Sequence, residues 1–499
     1  MLSDLRHTTK HILIYSLGNL STKLIGFVLL PLYTDYLSTS EYGMLAILEV
    51  TSFMLIAFVG MRQSTAMMRW GSAEKDKGRF GSIAFTILMV LVFLGAGFNL
   101  IFQPLAGTFG RILFESSEYG NYFHVLFAFV SFEVLNVWVL DLIRVKGKPM
   151  IYVVLSLIKF TVILTLNIYF IKFKGLGVLG IILSQFIGSV LLFVISIRFV
   201  VKNVLARIEW KEIRPMFNYG FPLVFTTISM YVLSLGDRYL MKYMLDLDAV
   251  GVYALGYKIA TITNLLIIQS FQIGFLPIAY KMYEQKNKER FFVKSLTYYG
   301  FVLVLFSLVL SMFSRELLFI LSKSDQYLVA YTIVPFISLA LIFKGIQYVF
   351  SLSLHFVKKT KYNSFIVLLV AVFNLGLNYL LLPIMGIYGA GMASIVSFFI
   401  MLMLFRIFAR KFYDPGYEIH KLILLVVVGV VLYFISLISH QLSIALSIAV
   451  KTLLLLLFPF VLYPFGFYEA IEISRIKGGI QKWKNPFDWR KNIKDFLKS

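Results

Sequence analysis

Long apolar runs separated by short polar loops recur along the whole chain. Each run holds about 18–25 residues, which is enough for a helix to cross a hydrocarbon core about 30 Å thick. The pattern predicts an all-α integral membrane protein with about 14 transmembrane helices. The predicted spans are 12–33, 44–66, 81–103, 120–143, 150–171, 177–200, 218–236, 250–279, 295–313, 328–354, 363–383, 387–405, 421–438 and 442–465.

Composition supports the membrane prediction and narrows the chemistry. Hydrophobic residues make up 59% of the 499 residues and charged residues 14%, which is too little polar surface for a soluble domain of this length. Cysteine is absent, so disulfides, thiolate nucleophiles and cysteine-ligated zinc are excluded. The six histidines lack ligand spacing. We expect no metal centre, no cofactor and no catalytic residues.

The net charge of +22 is distributed unevenly between alternate loops. Of the 47 Lys and Arg residues, 34 belong to the N-terminus, the tail, the loops after even-numbered helices and the helix ends that adjoin those loops, whereas seven belong to the opposite loops. Cytoplasmic loops are enriched in basic residues, so this asymmetry places both termini in the cytoplasm. The charge is then a topology signal, and no nucleic-acid partner is expected.

An internal repeat relates the two halves of the predicted helix series. Gly43 and Ala46 recur 208 positions later as Gly251 and Ala254. Such repeats are common in transporters, and this one predicts two pseudo-symmetric six-helix lobes followed by helices 13 and 14. A second match, at an offset of 211 positions, pairs Asn167, Gly175 and Gly180 with Asn378, Gly386 and Gly391.

The repeat and the loops together give a domain organisation. The basic C-terminal segment is interpreted either as an amphipathic segment on the anionic inner leaflet or as a solvated tail that serves topology. The predicted units are the N-lobe (1–200), a cytoplasmic linker (201–217), the C-lobe (218–405), helices 13 and 14 (406–468) and the tail (469–499).

Three lysines, Lys23, Lys258 and Lys344, lie within predicted spans. A charge in lipid costs several kcal/mol, so such residues normally face water or a partner. Polar residues share a helix face with each lysine, which predicts the wall of a watery cavity that attracts phosphate or pyrophosphate. The three faces are Ser16, Asn19, Lys23 and Gly26; Lys258, Thr261, Gln269 and Gln272; and Lys344, Gln347 and Ser351.

Two acids in the spans, Glu49 and Glu133, have two interpretations. Either acid could pair with Lys23 or Arg62, and we favour this structural pair because burying one charge alone is costly. Alternatively, either acid could bind a coupling cation.

The remaining basic residues in the spans have simpler explanations. Arg62 lies near a helix end, where it could line the cationic cavity or extend to the membrane surface. Lys159 and Lys451 could also extend to the surface. Local ion pairs are expected for Asp141 with Arg144 and for Asp237 with Arg238.

Two segments of the chain carry a family resemblance. The first, LGNLSTKLIGFVLLPLYTDYLSTSEYGMLAILE, and the second, which runs from YGFPLVF through GDRYLMKYM to VGVYALGYKIA, resemble Wzx-type polysaccharide flippases. These transporters of O-antigen or teichuronic acid belong to the multidrug/oligosaccharidyl-lipid/polysaccharide (MOP) exporter superfamily. The matching residues are Pro31, Tyr33, Thr34, Glu41, Tyr42 and Gly43, then Gly220, Pro222, Asp237, Arg238, Tyr239, Gly251 and Tyr253.

The resemblance implies a function and a location. Family members have a V-shaped cavity between two lobes and a basic residue on helix 1, which Lys23 fits. They move an undecaprenyl-pyrophosphate-linked oligosaccharide to the outer leaflet of the bacterial cytoplasmic membrane by alternating access. Expected partners are this lipid-linked glycan, the bilayer, a coupling ion such as H⁺ or Na⁺, and the polysaccharide polymerase machinery.

Three functions are compatible with a membrane protein of this kind. In a flippase, the lysines and Arg62 would hold the pyrophosphate and the polar residues, including Asn19 and Gln347, would face the glycan. A multidrug/cation antiporter would need acids as the dominant membrane charges, whereas basic residues in the spans outnumber clear acids here. A membrane enzyme of polysaccharide assembly would need a large external loop or a buried catalytic pair. We therefore favour the flippase.

Overall fold

The computed structural model describes residues 26–74, 76–286, 288–322, 324–357, 359 and 361–474. Within these ranges the chain forms helices joined by short loops. The first half contains α1 (Leu30–Tyr36), α2 (Thr39–Gly60), α3 (Gln63–Ala73), α4 (Lys77–Phe102), α5 (Ala106–Phe114), α6 (Gly120–Val145), α7 (Pro149–Ile168) and α8 (Gly177–Asn203).

After its first helix, the second half repeats this order of short and long helices. It is followed by two further helices, α18 (Ile419–Leu437) and α19 (Ile444–Val461). The second half contains α9 (Trp210–Leu235), α10 (Asp237–Met244), α11 (Leu247–Thr263), α12 (Gln269–Tyr283), α13 (Lys288–Met312), α14 (Ser314–Leu321), α15 (Val334–Phe356), α16 (Lys361–Met385) and α17 (Ile387–Arg410).

The predicted membrane architecture is confirmed. The described residues include 13 helical segments long and apolar enough to cross a membrane, and they coincide with predicted spans 2 to 14. Most of the first predicted span, 12–33, lies outside the described residues, as do most of the tail, Asn19 and Lys23.

Helix α2 begins five residues before its predicted start because its N-terminus is capped by side chains. The Ser38 hydroxyl accepts a hydrogen bond from the Glu41 backbone N–H (3.2 Å), and the Ser38 backbone N–H donates to the Glu41 carboxylate (2.9 Å). This capping box satisfies two backbone donors that would otherwise lack partners.

The two lobes meet where α2 crosses α11, and the repeated glycines Gly43 and Gly251 form the contact. A Cβ added to Gly43 would lie 2.0 Å from the carbonyl oxygen of Leu247, and one added to Gly251 would lie 1.9 Å from that of Thr39. Leu247 follows Thr39 by 208 positions, as Gly251 follows Gly43. The two half-contacts are therefore equivalent, and only glycine allows the backbones to approach this closely.

Further contacts between the lobes surround the glycine contact. Lys242 Nζ lies 2.6 Å from the Glu115 carboxylate, and this hydrogen bond lowers the pKa of Glu115. Tyr327 donates a hydrogen bond to the carbonyl of Ser38 (2.8 Å), and Thr39 hydrogen-bonds Asp248. All of these residues lie at the end of the bundle where the loops hold few basic residues. We call this the basic-poor end, and the interlobe contacts seal it.

Helices α18 and α19 are fixed to the second lobe by ion pairs near both ends. The Lys451 side chain is 0% exposed, and its ammonium lies 2.5 Å from Glu316 on α14. At the other end, Lys294 on α13 binds Glu418 (3.1 Å) and Glu469 (2.6 Å). The prediction that Lys451 extends to the membrane surface is wrong, because α14 supplies a carboxylate inside the bundle.

The glycine contact generates a testable prediction. Gly251→Ala should hold the basic-poor end open, because the new methyl group meets a backbone carbonyl that cannot move independently of its helix. The chain has no cysteine, so Ala254→Cys in the interlobe cavity gives a unique probe. A membrane-impermeant maleimide added on that side should label it several-fold faster in the Gly251→Ala background.

Gly97→Ala is the matched control, since no atom lies within 4 Å of the position its Cβ would take. Equal labelling in the two backgrounds, with both proteins eluting as folded species, would contradict the proposed seal.

Candidate functional site

Lys258 on α11 extends from the second lobe into the first. Its ammonium lies 5.9 Å from the centre of the Tyr33 ring and 5.8 Å from that of Tyr42. Gly26 provides the space, because a Cβ there would lie 3.2 Å from the Lys258 Nζ. Gly26 and Lys258 belong to two of the predicted polar faces, so the structure brings these two faces together.

A cavity of about 140 Å³ adjoins Lys258 between the lobes. Its charged lining residues are Glu49 from the first lobe and Arg238 and Lys258 from the second. The cavity is large enough for a phosphate-sized group and too small for an oligosaccharide. The other lining residues are Tyr42, Leu45, Ala46, Val50, Phe53, Leu235, Ala254, Tyr257 and Thr261.

Arg238 is already neutralised within its own lobe. Its guanidinium lies 3.7 Å from the neighbouring Asp237 carboxylate and 4.8 Å from the centre of the Tyr257 ring. Tyr253 donates a hydrogen bond to the same carboxylate (2.6 Å). The predicted Asp237–Arg238 pair is confirmed.

Glu49 and Lys258 are the charged residues of this cavity that lack an ion-pair partner among the described residues. Both side chains are half-buried, and neither forms an ion pair within 4 Å with another residue of the described ranges. The Glu49 and Lys258 side chains nevertheless line the same cavity. The predicted pairing of Glu49 with Arg62 is wrong, and Lys23, the alternative partner, lies outside the described residues. With Asp237 balancing Arg238, the described cavity carries one free positive and one free negative charge.

Three of the predicted glycan-facing residues, Gln269, Gln272 and Gln347, do not line this cavity, whereas Thr261 does. A π-helical turn at Asn264–Ile268 separates α11 from α12. Such a turn holds more residues than an α-helical turn, so the helix face changes phase after it. The even spacing assumed from the sequence therefore fails beyond residue 263.

Lys344 is separated from Lys258. It is half-buried on α15, and its ammonium lies 5.5 Å from the centre of the Phe398 ring on α17, within the second lobe. It is not among the residues that line the 140 Å³ cavity. The expectation that the lysines share one cavity is wrong for Lys344, because periodicity identifies a helix face but not the neighbour that covers it.

Glu133 lies in the interior of the first lobe. Its carboxylate binds Lys159 on α7 (2.5 Å) and accepts a hydrogen bond from Ser189 on α8 (2.7 Å). Glu133 is thus paired with Lys159 rather than with Arg62, and Lys23, the other partner considered from the sequence, lies outside the described residues. Lys159 is likewise an internal partner and does not extend to the membrane surface. The Asp141–Arg144 pair is confirmed at 3.1 Å.

Arg62 occupies a break between α2 and α3. Met61 and Arg62 adopt left-handed conformations, with φ of 43° and 54°, which is unusual for non-glycine residues. Gly220 on α9 makes room, because a Cβ there would lie 2.4 Å from the Met61 carbonyl oxygen. The Arg62 side chain is exposed, lies away from the 140 Å³ cavity, and has no ion-pair partner within the described ranges.

Aromatic residues of the cavity were not identified from the sequence. Phe53, which is 40% exposed, stacks on Tyr231 of the other lobe with ring centres 5.7 Å apart. Aromatic residues make up 17% of the chain, so no local signal distinguished these two. Only the structure shows that Phe53 lines the cavity and that Tyr231 on α9 packs against Phe53.

A larger and almost wholly apolar groove of about 670 Å³ lies elsewhere in the second lobe. Its walls are α13, α15, α17 and α18, and residues such as Leu308, Phe336, Ile395 and Phe434 line it. The groove and the charged cavity share no lining residue.

Comparison with known proteins identifies sequence relatives. The model of a family described as polysaccharide biosynthesis protein matches residues 8–283, more than half of the chain. A second family model, MatE, matches residues 222–380. The chain is 24% identical over 224 residues to the uncharacterized membrane protein MJ1068 of Methanocaldococcus jannaschii, and this match covers 44% of each chain.

Two solved structures have a similar fold. Lipid II flippase MurJ in an inward closed conformation matches with a TM-score of 0.74 and 15% identity, over 91% of this chain and 99% of that chain. An inward-facing multidrug resistance MATE family transporter of the MOP superfamily matches with a TM-score of 0.65 and 15% identity, over 80% and 94%.

The structural role of the half-buried Glu133–Lys159 pair can be tested. Lys159→Met should destabilise the protein by about 3 kcal/mol, because it leaves a carboxylate without its cation inside the bundle. The double variant Glu133→Gln/Lys159→Met should recover most of the loss. Thermal unfolding in detergent measures both effects. Unchanged stability in Lys159→Met, together with altered ion dependence of transport, would instead support ion coupling at Glu133.

Proposed function

The chain belongs to the polysaccharide biosynthesis protein family, and from this premise we propose that it is a lipid-linked oligosaccharide flippase. Its substrate would be an undecaprenyl-pyrophosphate-linked repeat unit of O-antigen, capsule or exopolysaccharide. The protein would carry it from the inner to the outer leaflet of the bacterial cytoplasmic membrane. The observation that carries this proposal is the Lys258 ammonium, which lies at the lobe interface and contacts no carboxylate of the described residues.

The substrate's pyrophosphate would bind at Lys258. A charge-assisted hydrogen bond from an ammonium to a phosphate oxygen is among the stronger polar contacts, and the limited space suits this group rather than the sugars. The glycan would extend from the cavity toward the basic-rich end, past the exposed Phe53. Lys23 and Arg62 are proposed as further cationic contacts along this route, with Asn19 and Thr261 as polar ones. Lys344, Gln269, Gln272 and Gln347 have no role in this pose.

The sealed basic-poor end would face the outside of the cell. Its loops hold few basic residues, so the positive-inside rule assigns the opposite end and both termini to the cytoplasm. The described conformation would then be the one that receives substrate from the cytoplasm. Separation of Gly43 from Gly251 would open the other side, and closure of the basic-rich end would complete alternating access. The polymerase machinery would receive the product.

A multidrug antiporter is the second candidate, because the MatE model matches residues 222–380. Such a transporter would use Glu49 rather than Lys258 to hold a cationic substrate. The two candidates therefore predict opposite consequences of removing each charge.

Reconstitution tests the proposal directly. Purified protein in liposomes that contain a labelled undecaprenyl-pyrophosphate disaccharide should expose the label to the opposite leaflet. Lys258→Gln should slow this at least about tenfold, since it removes a hydrogen bond to a charged group. Lys258→Arg should retain much of the rate because the positive charge remains.

Lys344→Gln is the matched control, since it removes a lysine of the same lobe that does not line the cavity. Flipping by Lys258→Gln at the wild-type rate would refute the anion site. Loss of drug efflux in Glu49→Gln, with no flipping by wild type, would establish the antiporter instead.

A further inference from the structure

Glu49 poses an electrostatic problem for any anionic substrate at Lys258. It lines the same cavity, is half-buried, and makes no hydrogen bond or ion pair through its carboxylate with another described residue. A phosphate that approaches Lys258 would bring a second negative charge to a site where water is scarce. Like charges in such a site strongly disfavour each other, so one must be neutralised or leave.

The surroundings leave protonation as the available response. Glu49 lines the cavity from the interior of helix α2, so its carboxylate stays close to any group that binds there. The nearby guanidinium of Arg238 lies 3.7 Å from the Asp237 carboxylate, which already balances its charge. The titratable or charged groups that face Glu49 from the packed elements of the described structure are Tyr33 on α1, Tyr42 on α2, Arg238 on α10, and Tyr257 and Lys258 on α11.

We propose that Glu49 is the proton-coupling residue of the cavity: it is ionised while the cavity is empty and takes up one proton when a phosphate group binds Lys258. This inference rests on the proposed function and adds the coupling ion to it. The proton comes from hydronium or a buffer acid at the open end, whose bond to that proton breaks as an O–H bond forms on the Glu49 carboxylate. The phosphate oxygen then binds the Lys258 ammonium, which no described carboxylate contacts.

The exchange would make substrate binding depend on pH. Because one proton is taken up on binding, the affinity for the phosphate group should rise as the pH falls, by at most about tenfold per pH unit. This holds over the pH range in which Glu49 is ionised in the empty cavity and protonated in the loaded one. Release of the phosphate on the far side would free Glu49 to lose its proton there. One proton would thus accompany each substrate molecule outward.

Calorimetry on the purified full-length protein tests the proposal, with inorganic pyrophosphate as the probe. Titrations at one pH in Tris and in PIPES, which differ in ionisation enthalpy, give the number of protons taken up per bound pyrophosphate. Glu49→Gln gives the baseline, because the protons it takes up come with pyrophosphate itself. Wild type should take up as much as one proton more than this baseline for each pyrophosphate bound. Glu49→Gln should also bind about tenfold more tightly at pH 8, because the repulsion is gone.

Two further variants distinguish failure of the Glu49 coupling role from failure of the Lys258 anion site. Glu49→Asp keeps the acid and should keep the extra proton, so it serves if Glu49→Gln does not fold. If Lys258→Gln binds pyrophosphate like wild type, the anion site of the proposed function is wrong. If Lys258→Gln loses binding but wild type, Glu49→Asp and Glu49→Gln take up equal numbers of protons, the coupling role of Glu49 is overturned and the anion site stands.

Discussion

The backbone contact between Gly43 and Gly251 is the constraint on which the arrangement of the two lobes depends. Each glycine meets a carbonyl oxygen of the opposite helix at a distance that excludes even a methyl group. Lipid supplies little hydrophobic driving force between helices, so association relies on close van der Waals contact and polar contacts. The contact sets how near α2 and α11 approach, and therefore which residues of the two helices face each other farther down. Glu49 and Lys258 face one cavity as a result.

Several charged side chains inside the described helices have an ion-pair partner, whereas Glu49, Lys258 and Lys344 have none among the described residues. Lys159, Lys451 and Arg238 each have a carboxylate within 4 Å, and these partners lie within the same lobe or between α19 and the second lobe. Such pairs offset the cost of moving a charge out of water and keep each lobe rigid. Glu49 and Lys258 come from different lobes and lack such contact. The paired charges that stabilise the fold are thus distinct from Glu49 and Lys258, which remain available to a molecule bound in the cavity.

The sequence predicted the helices well because apolar run length alone determines whether a segment can cross a membrane. The glycines of the lobe contact were also identified, since the repeat marks them. The break at Met61–Arg62 was missed because it depends on a partner helix with Gly220 at the matching height. Gln269 and Gln272 were misplaced because a π-helical turn, which has no clear sequence signature here, precedes them. The partner of Glu133 could not be deduced, because helix periodicity does not identify neighbours.

The ion pairs that fasten α18 and α19 to α13 and α14 have a mechanical consequence. They make the two halves unequal, because α18 and α19 are held to the second half and would move with it in the proposed alternating access. All four walls of the apolar groove belong to that heavier half, so the groove would keep its shape throughout a rocking cycle. The charged cavity has walls from both halves, so the proposed alternating access would change its shape. If one molecule bound both the apolar groove and the charged cavity, the part in the groove would keep its contacts throughout the cycle. The part in the cavity would bind and dissociate as the cavity changes shape.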